Sequence, residues 1–282
     1  MPTAPSQTAL LTGFSLEMTG KDIDDLRVAA PSLPAGTRVN VTFLGNEDLA
    51  MRVAASRAVR EAGLTPVPHI SARRLGDQGE LETFLAALEE VGATDSVFVV
   101  GGDPAVPQGP YPDSETVIRT GVLPEYGVRR VSIAGYPEGH PDISDELLWK
   151  ALLGKAATLR EQGLEGTIIT QFGFDEVPIL SWIERVRDAG IDLPVRIGVP
   201  GPAGVKRLIA FARRFGVGAN AMIVKKYGFS LTHLMGSAGP DRLIGALSAA
   251  YDPKRHGAVH LHFYTFGGVS RTSEWIRDFR NR

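Results

Sequence analysis

The sequence predicts one α/β domain, a single (β/α)8 TIM barrel spanning residues 1–282. Three observations point there. The 282 residues suit a fold that typically takes about 250. Short β-type runs alternate with longer amphipathic stretches, the pattern of a parallel sheet with helical crossovers. Six segments rich in chemically useful side chains fall, in order, at the ends of predicted strands, as they do when a barrel gathers its site at the C-terminal rim.

Taken along the chain, the first strand is predicted over Ala9–Glu17 and ends in Phe14-Ser15-Leu16-Glu17. The second, Arg38–Phe43, ends in Val41-Thr42-Phe43. A helix is predicted over Glu47–Ala62, because Leu49, Val53, Ala54, Val59 and Ala62 recur at roughly helical spacing and Gly63 follows as a stop. The third strand, Pro66–Ile70, closes on Pro68-His69-Ile70. The next helix, Glu80–Val91, sets Leu81, Phe84, Leu85 and Leu88 on one face. Strand four, Ser96–Val100, is a nearly continuous apolar run, as strands buried on both faces are. It leads into Gly101-Gly102-Asp103-Pro104. From Asp103 to about Thr116 runs the longest irregular stretch, rich in Pro and Gly. Strand five, Arg130–Ala134, opens into Gly135-Tyr136-Pro137-Glu138-Gly139-His140-Pro141. A helix over Asp145–Gln162 precedes strand six, Gly166–Gln171, and its continuation Phe172-Gly173-Phe174-Asp175. Helix Val177–Ala189, strand Val195–Val199, helices Ala203–Phe215 and Pro240–Tyr251, and strand Ala258–Tyr264 complete the set. Eight strand–helix repeats favour closure into a barrel over an open sheet, and no linker or change of composition marks a second domain.

Composition excludes several classes. The net charge of -2 argues against a broad nucleic-acid footprint. The 43% apolar and 22% charged residues are ordinary for a globular chain. No cysteine is present, so disulfides, thiolate catalysis and cysteine metal sites are absent. No stretch approaches the ~20 apolar residues of a membrane helix. Met1 to Ala9 lacks the pattern of a secretory signal. A cytoplasmic location is the resulting expectation, with no membrane or nucleic-acid partner.

The strand-end residues carry alternative readings. Glu17 is either a proton donor, if desolvation holds its proton near neutrality, or a solvated carboxylate. Asp103 either contacts a heterocycle, with Gly101-Gly102 letting the backbone approach, or opens an Asp-Pro turn. Tyr136 and His140 suit a planar cofactor or its phosphates, and otherwise sit in a proline-rich turn. Gln171 can read an amide-like ring edge or satisfy the backbone. Phe172 and Phe174 cover an aromatic ligand or pack the core. Thr42 and His69 close strands two and three, His69 with a structural alternative. No metal site is expected, because His140, His256, His260 and His262 lack ligand spacing. The pairs Arg73-Arg74, Arg213-Arg214 and Lys225-Lys226 read as solvated helix faces. Val199-Pro200-Gly201-Pro202-Ala203-Gly204 reads as a flexible loop without phosphate-loop spacing.

Taken together, these segments resemble the methylenetetrahydrofolate reductase family. Tyr-Pro-Glu-x-His-Pro at 136–141 and Ile-Thr-Gln-Phe-x-Phe-Asp at 169–175 are the most specific parts, and His262-Phe263-Tyr264-Thr265 also matches. The resemblance spans about Gly13 to Tyr264 and corresponds to the short bacterial catalytic barrel. It implies a flavoprotein that reduces 5,10-methylenetetrahydrofolate to 5-methyltetrahydrofolate, or runs the reverse oxidation, in one-carbon metabolism and methionine biosynthesis. FAD is the implied cofactor, NADH or NADPH the electron donor, and a tetrahydrofolate derivative the substrate. A homo-oligomer is compatible with this. By resemblance, Glu17 is the general acid, Asp103 contacts the pterin and influences the flavin, and Gln171 and Phe174 bind substrate. Thr42, His69, Gly102, Ala134, Tyr136 and His140 fall where the family holds FAD, and Lys155 is a candidate for its lysine contact. The chain departs from the family at Gly101, where an arginine is usual, and at Gly173, where a phenylalanine is usual. The lost arginine motivates a second reading, a flavin-independent folate reductase using a nicotinamide or deazaflavin donor. A third is a folate-binding subunit that draws electrons through another protein, and retention of Glu17, Asp103 and Gln171 together speaks against it.

Overall fold

The computed structural model describes residues 10–214 and 237–281. Eight parallel strands close into a barrel: β1 (Ser15–Met18), β2 (Arg38–Val41), β3 (Thr65–Ser71), β4 (Ser96–Val100), β5 (Arg130–Gly135), β6 (Glu165–Phe172), β7 (Val195–Pro200) and β10 (Val259–Tyr264), with β10 between β7 and β1. The short strands β8 (Ala203–Gly204) and β9 (Ser237–Ala238) form a separate antiparallel ribbon. Helices separate the barrel strands, as parallel pairing requires. The expected barrel is the observed one.

Register is continuous where β3 pairs with β4, from His69↔Phe98 to Ser71↔Val100, and where β10 pairs with β7, from Val259↔Val195 to Tyr264↔Pro200. The chain falls into two compact units. One comprises Glu17–Ala134 and Trp149–Ile168; the other comprises Met1–Leu16, Gly135–Leu148 and Ile169–Arg282.

In the first unit, helix Leu49–Glu61 buries Ala55, Ala58 and Val59, and helix Gln78–Glu90 buries Leu81, Phe84, Leu85 and Leu88. The second helix buries the face its spacing predicts. Both are capped: Asp48 accepts from the Met51 amide and Asp77 from the Glu80 amide. The strand N-termini of this unit carry an ion-pair network, with Asp95 bound by Arg129 and Arg130 and Arg130 by Glu165. Burial alone would push the Asp95 carboxyl up, but the Arg129 hydrogen bond and the Arg130 charge hold it below its usual value.

In the second unit, Phe172, Phe174, Ala203, Leu208 and Ala212 form a core cluster, with Phe211, Tyr264 and Phe266 packed against it. Asp175, the last residue of the Gln-Phe-Gly-Phe-Asp segment, caps helix Glu176–Asp188 by accepting from Val177.

Several expectations need correction. The first strand begins at Ser15, not Ala9: residues 10–13 form a turn, with Gly13 at φ +66°, although Leu10 and Leu11 are buried. Burial of an apolar run does not require extended backbone. The stretch after Asp103 becomes a helix at Ser114, capped by Asp113. Arg73 and Arg74 do not lie on a solvated helix face; they sit in the 3-10 turn Ala72–Arg74 that ends β3. Helices Ile23–Ala29, Val122–Glu125, Pro253–His256 and Val269–Arg280 were not expected, although Val269, Ile276 and Phe279 of the last one are buried at helical intervals. Lys225-Lys226 and Phe215 lie outside the described residues.

Leu88→Ala should cost about 2–5 kcal/mol, as truncations of wholly buried leucines do. Val28→Ala, at a side chain 71% exposed, should stay within about 0.5 kcal/mol. Urea midpoints of the two variants check the assignment of the core face.

Candidate active site

In the first unit, each candidate follows from where its strand stops. Glu17 is the third residue of β1 and half-buried. The amide of Thr42, just past β2, donates to the Met18 carbonyl at 2.8 Å, which ties the ends of β1 and β2 together. The Thr42 side chain is buried, and its hydroxyl has no hydrogen-bond partner. His69 is buried near the end of β3, with Nε2 3.3 Å from the Asn40 amide nitrogen and its ring edge-on to Phe98.

Ser71, the last residue of β3, is 3% exposed and its hydroxyl is also without a partner. Sequence reading missed it, because a lone serine gives no signal. A Cβ on Gly102 would come within 2.1 Å of that hydroxyl, and Gly102 holds φ at +93°. Glycine is therefore required at 102 on two independent grounds. Arg73 adds a third orphan, a buried Nε with no acceptor. Unsatisfied buried polar atoms are uncommon, and each calls for an explanation. Three of them, Thr42 Oγ1, Ser71 Oγ and Arg73 Nε, lie just past β2 and at the end of β3; the others among the described residues, Arg52 Nε, Gln162 Oε1, Arg187 Nη2 and Ser248 Oγ, lie elsewhere.

Asp103 is exposed and receives two bonds from Arg74, Nε and Nη2 to Oδ1 at 2.9 and 2.5 Å. Ala134 lies in β5, its carbonyl 3.5 Å from Lys155 Nζ. Lys155 is 5% exposed on helix Asp145–Glu161, and burial lowers its ammonium to about 8, with Asp113 and Glu115 acting in the opposite direction.

In the second unit, Tyr136 and His140 meet edge to face, centroids 5.5 Å apart. Burial raises the Tyr136 phenol above its usual value. The turn between them uses Gly139 at φ +80°, with its amide bonded to the Tyr136 carbonyl, and His140 Nδ1 accepts from the Asp142 amide. Gln171 directs Oε1 to the Phe172 amide at 3.0 Å and lines a small cleft with Pro137, Glu138, Gly139, Gly173 and Ile179. A Cβ at Gly173 would meet Glu138 Oε1 at 2.9 Å and Ile179 Cδ1 at 3.0 Å, so the missing phenylalanine makes room for this cleft. Phe174 is 5% exposed within the core cluster, so its ring packs the interior.

The methylenetetrahydrofolate reductase pattern matches residues 26–274. The chain belongs to the methylenetetrahydrofolate reductase family. It is thereby an enzyme of folate one-carbon reduction. A 5,10-methylenetetrahydrofolate reductase of Salmonella typhimurium is 27% identical over 234 residues, covering 80% of this chain and 75% of that protein. A dihydropteroate synthase from Thermus thermophilus matches with a TM-score of 0.50 and 12% identity, over 95% of this chain and 93% of that one. That second likeness concerns the barrel alone. No helix among the described residues is long and apolar enough to cross a membrane.

Two measurements probe the site. Lys155 binds fewer protons folded than unfolded between about pH 8 and its ordinary value of 10.5, so it makes stability rise with pH across that window. Urea midpoints at pH 7.5 and 10 should show a rise that Lys155→Met loses. Gly102→Ala should lower the unfolding free energy by more than about 1 kcal/mol, the scale of a residue forced into the wrong backbone region, and adding Ser71→Gly should recover only the steric share.

Proposed function

We propose that the protein reduces 5,10-methylenetetrahydrofolate to 5-methyltetrahydrofolate, with FAD as cofactor and NADH or NADPH as donor, and that residues 1–282 act as one catalytic domain. Family membership supports the reaction class. The observation that supports the cofactor is that three of the orphaned buried atoms, Thr42 Oγ1, Ser71 Oγ and Arg73 Nε, lie at neighbouring strand ends, beside a glycine that leaves no room for a side chain. Two hydroxyls and a guanidinium N–H suit a ligand with polar ring atoms or phosphate oxygens.

In this reading Thr42, His69, Gly102, Ala134, Lys155, Tyr136 and His140 hold FAD. FAD, if bound there, would supply two-electron hydride chemistry between the nicotinamide donor and the folate. Glu17 donates the proton that opens the folate's five-membered ring to an iminium ion, the hydride acceptor. Gln171 fixes the pterin edge through its carboxamide, and Asp103 accepts from the same heterocycle. Phe174 acts from behind, through Phe172, since its own ring is interior.

A second reading, direct transfer to folate from a nicotinamide or deazaflavin, is favoured by one observation: Gly101 stands where the family carries an arginine. Uptake of FAD by the pure protein separates the two.

Glu17→Gln tests the acid. Positioned acid catalysis contributes roughly 10²–10⁴-fold. In rapid mixing, the variant should keep its flavin and be reduced by the nicotinamide at the unmodified rate, while reoxidation by methylenetetrahydrofolate falls by that factor. Reoxidation at the unmodified rate would remove Glu17 from the mechanism.

A further inference from the structure

The turn Ala72–Arg74 and the loop of residues 101–113 are stitched together. The Arg73 amide donates to the Gly101 carbonyl, and the Gln108 amide donates to the Arg73 carbonyl, both at 2.9 Å. Gly109 packs so closely on the backbone of Gly76 that a Cβ would come within 2.0 Å of its carbonyl oxygen. Out of this seam comes the Arg74 side chain.

Its guanidinium is confined. The Arg74 side chain is 16% exposed, its partner Asp103 67%. Arg74 Cζ lies 5.2 Å from the Phe43 ring centroid, and Arg52 Cζ lies 3.8 Å from that centroid and 4.2 Å from that of Phe84. A Cβ on Gly45 would come within 2.6 Å of Arg74 Nη2. Aromatic face, glycine and carboxylate together fix the fork. Stability does not explain this arrangement, since an ion pair with so exposed a partner contributes only about 0–1 kcal/mol. Both bonds land on Asp103 Oδ1, which leaves Oδ2 to accept from a ligand.

We infer that Arg74 is the positioning residue of Asp103, supplying from the β3 turn the cation that position 101 lacks. The inference rests on the reading in which Asp103 contacts the folate heterocycle. Arg74 fixes Oδ1, so that Oδ2 meets an N–H edge of the substrate without a search over rotamers. The charged neighbour of this cluster is Arg52, which burial lowers to about 10; Glu80, Glu47 and Asp48 raise it and Arg74 lowers it. Position 101 can take a side chain, since a Cβ there meets nothing within 4 Å.

The test uses the full chain and four variants: Arg74→Met, Arg74→Lys, Arg74→Met with Gly101→Arg, and Asp103→Asn. Methionine keeps the packing on Phe43 and loses the charge; lysine keeps the charge and loses the fork. The carbon-13 signal of the Asp103 carboxyl, read at one fixed pH, needs no substrate. It should move in Arg74→Met, which removes both bonds to Oδ1. Lysine should return it only part of the way, since it loses the fork, and Gly101→Arg should return it on the methionine background. The KM for methylenetetrahydrofolate should rise roughly tenfold in Arg74→Met, the loss expected for a charge-assisted hydrogen bond, with kcat and FAD content little changed. On the Asp103→Asn background, Arg74→Met should add nothing to KM.

An unmoved Asp103 carboxyl signal in a folded Arg74→Met overturns the inference, and so does a KM effect that survives in Asp103→Asn. A moved signal with an unchanged KM overturns the positioning role. If Arg74→Met does not fold, Arg74→Lys decides: loss of the fork should move both the signal and KM, and leaving both unmoved overturns the inference. Absence of folate turnover in the unmodified protein would instead fault the functional reading, and the carboxyl signal would still judge the pairing.

Discussion

Parallel pairing around a closed ring is the constraint on which the rest of this molecule depends. Each strand must be followed by a crossover before the next can pair alongside it, so all eight strands run the same way and their C-terminal ends open into loops. Strands buried on both faces then leave few places for polar chemistry. Those places are the last residue or two of each strand and the loop beyond: Glu17, Thr42, His69, Ser71, Gly102, Tyr136 and Gln171 occupy them. The opposite ends carry paired charges, as at Asp95, Arg129 and Arg130, where every group is matched within the protein.

The two ends differ in kind at these residues. Around Asp95 the carboxylates and guanidinium groups satisfy one another, although Gln162 Oε1 and Arg187 Nη2, before β6 and β7, are also orphaned. At the C-termini, buried hydroxyls go without partners and an ammonium is held in surroundings that favour its neutral form. Both features cost folding free energy, since an unmet buried polar group costs roughly 1–3 kcal/mol. A bound ligand that bonds to Thr42, Ser71 and Lys155 offsets this, which gives the apo protein a reason to gain stability on loading.

Much of the fold was legible in the sequence because hydrophobic periodicity reports burial directly. Val97-Phe98-Val99-Val100 and the face of Leu81, Phe84, Leu85 and Leu88 fall where their spacing puts them. The same signal misplaced the start of β1, since Leu10 and Leu11 are buried in a turn. Short helices such as Ser114–Arg119 escaped because six residues hold too little periodicity to separate from a loop. At the site, motif residues such as Tyr136, His140 and Gln171 were visible as motifs. Ser71 and Arg74 were not. What singles them out is what they face, the bare backbone of Gly102 and the Asp103 carboxylate, and such pairings across distant segments leave no trace in a single sequence. Phe174 shows the converse: an aromatic inside a motif that turns inward to pack.

The proposal that these strand ends hold a flavin which passes electrons to folate is open to anaerobic absorption spectroscopy of the pure protein loaded with FAD. The expected result is a flavin band that travels with the protein, bleaches on addition of NADH or NADPH, and returns when methylenetetrahydrofolate is added in stoichiometric amount. A protein that takes up no FAD, or whose reduced flavin is indifferent to methylenetetrahydrofolate, would contradict it.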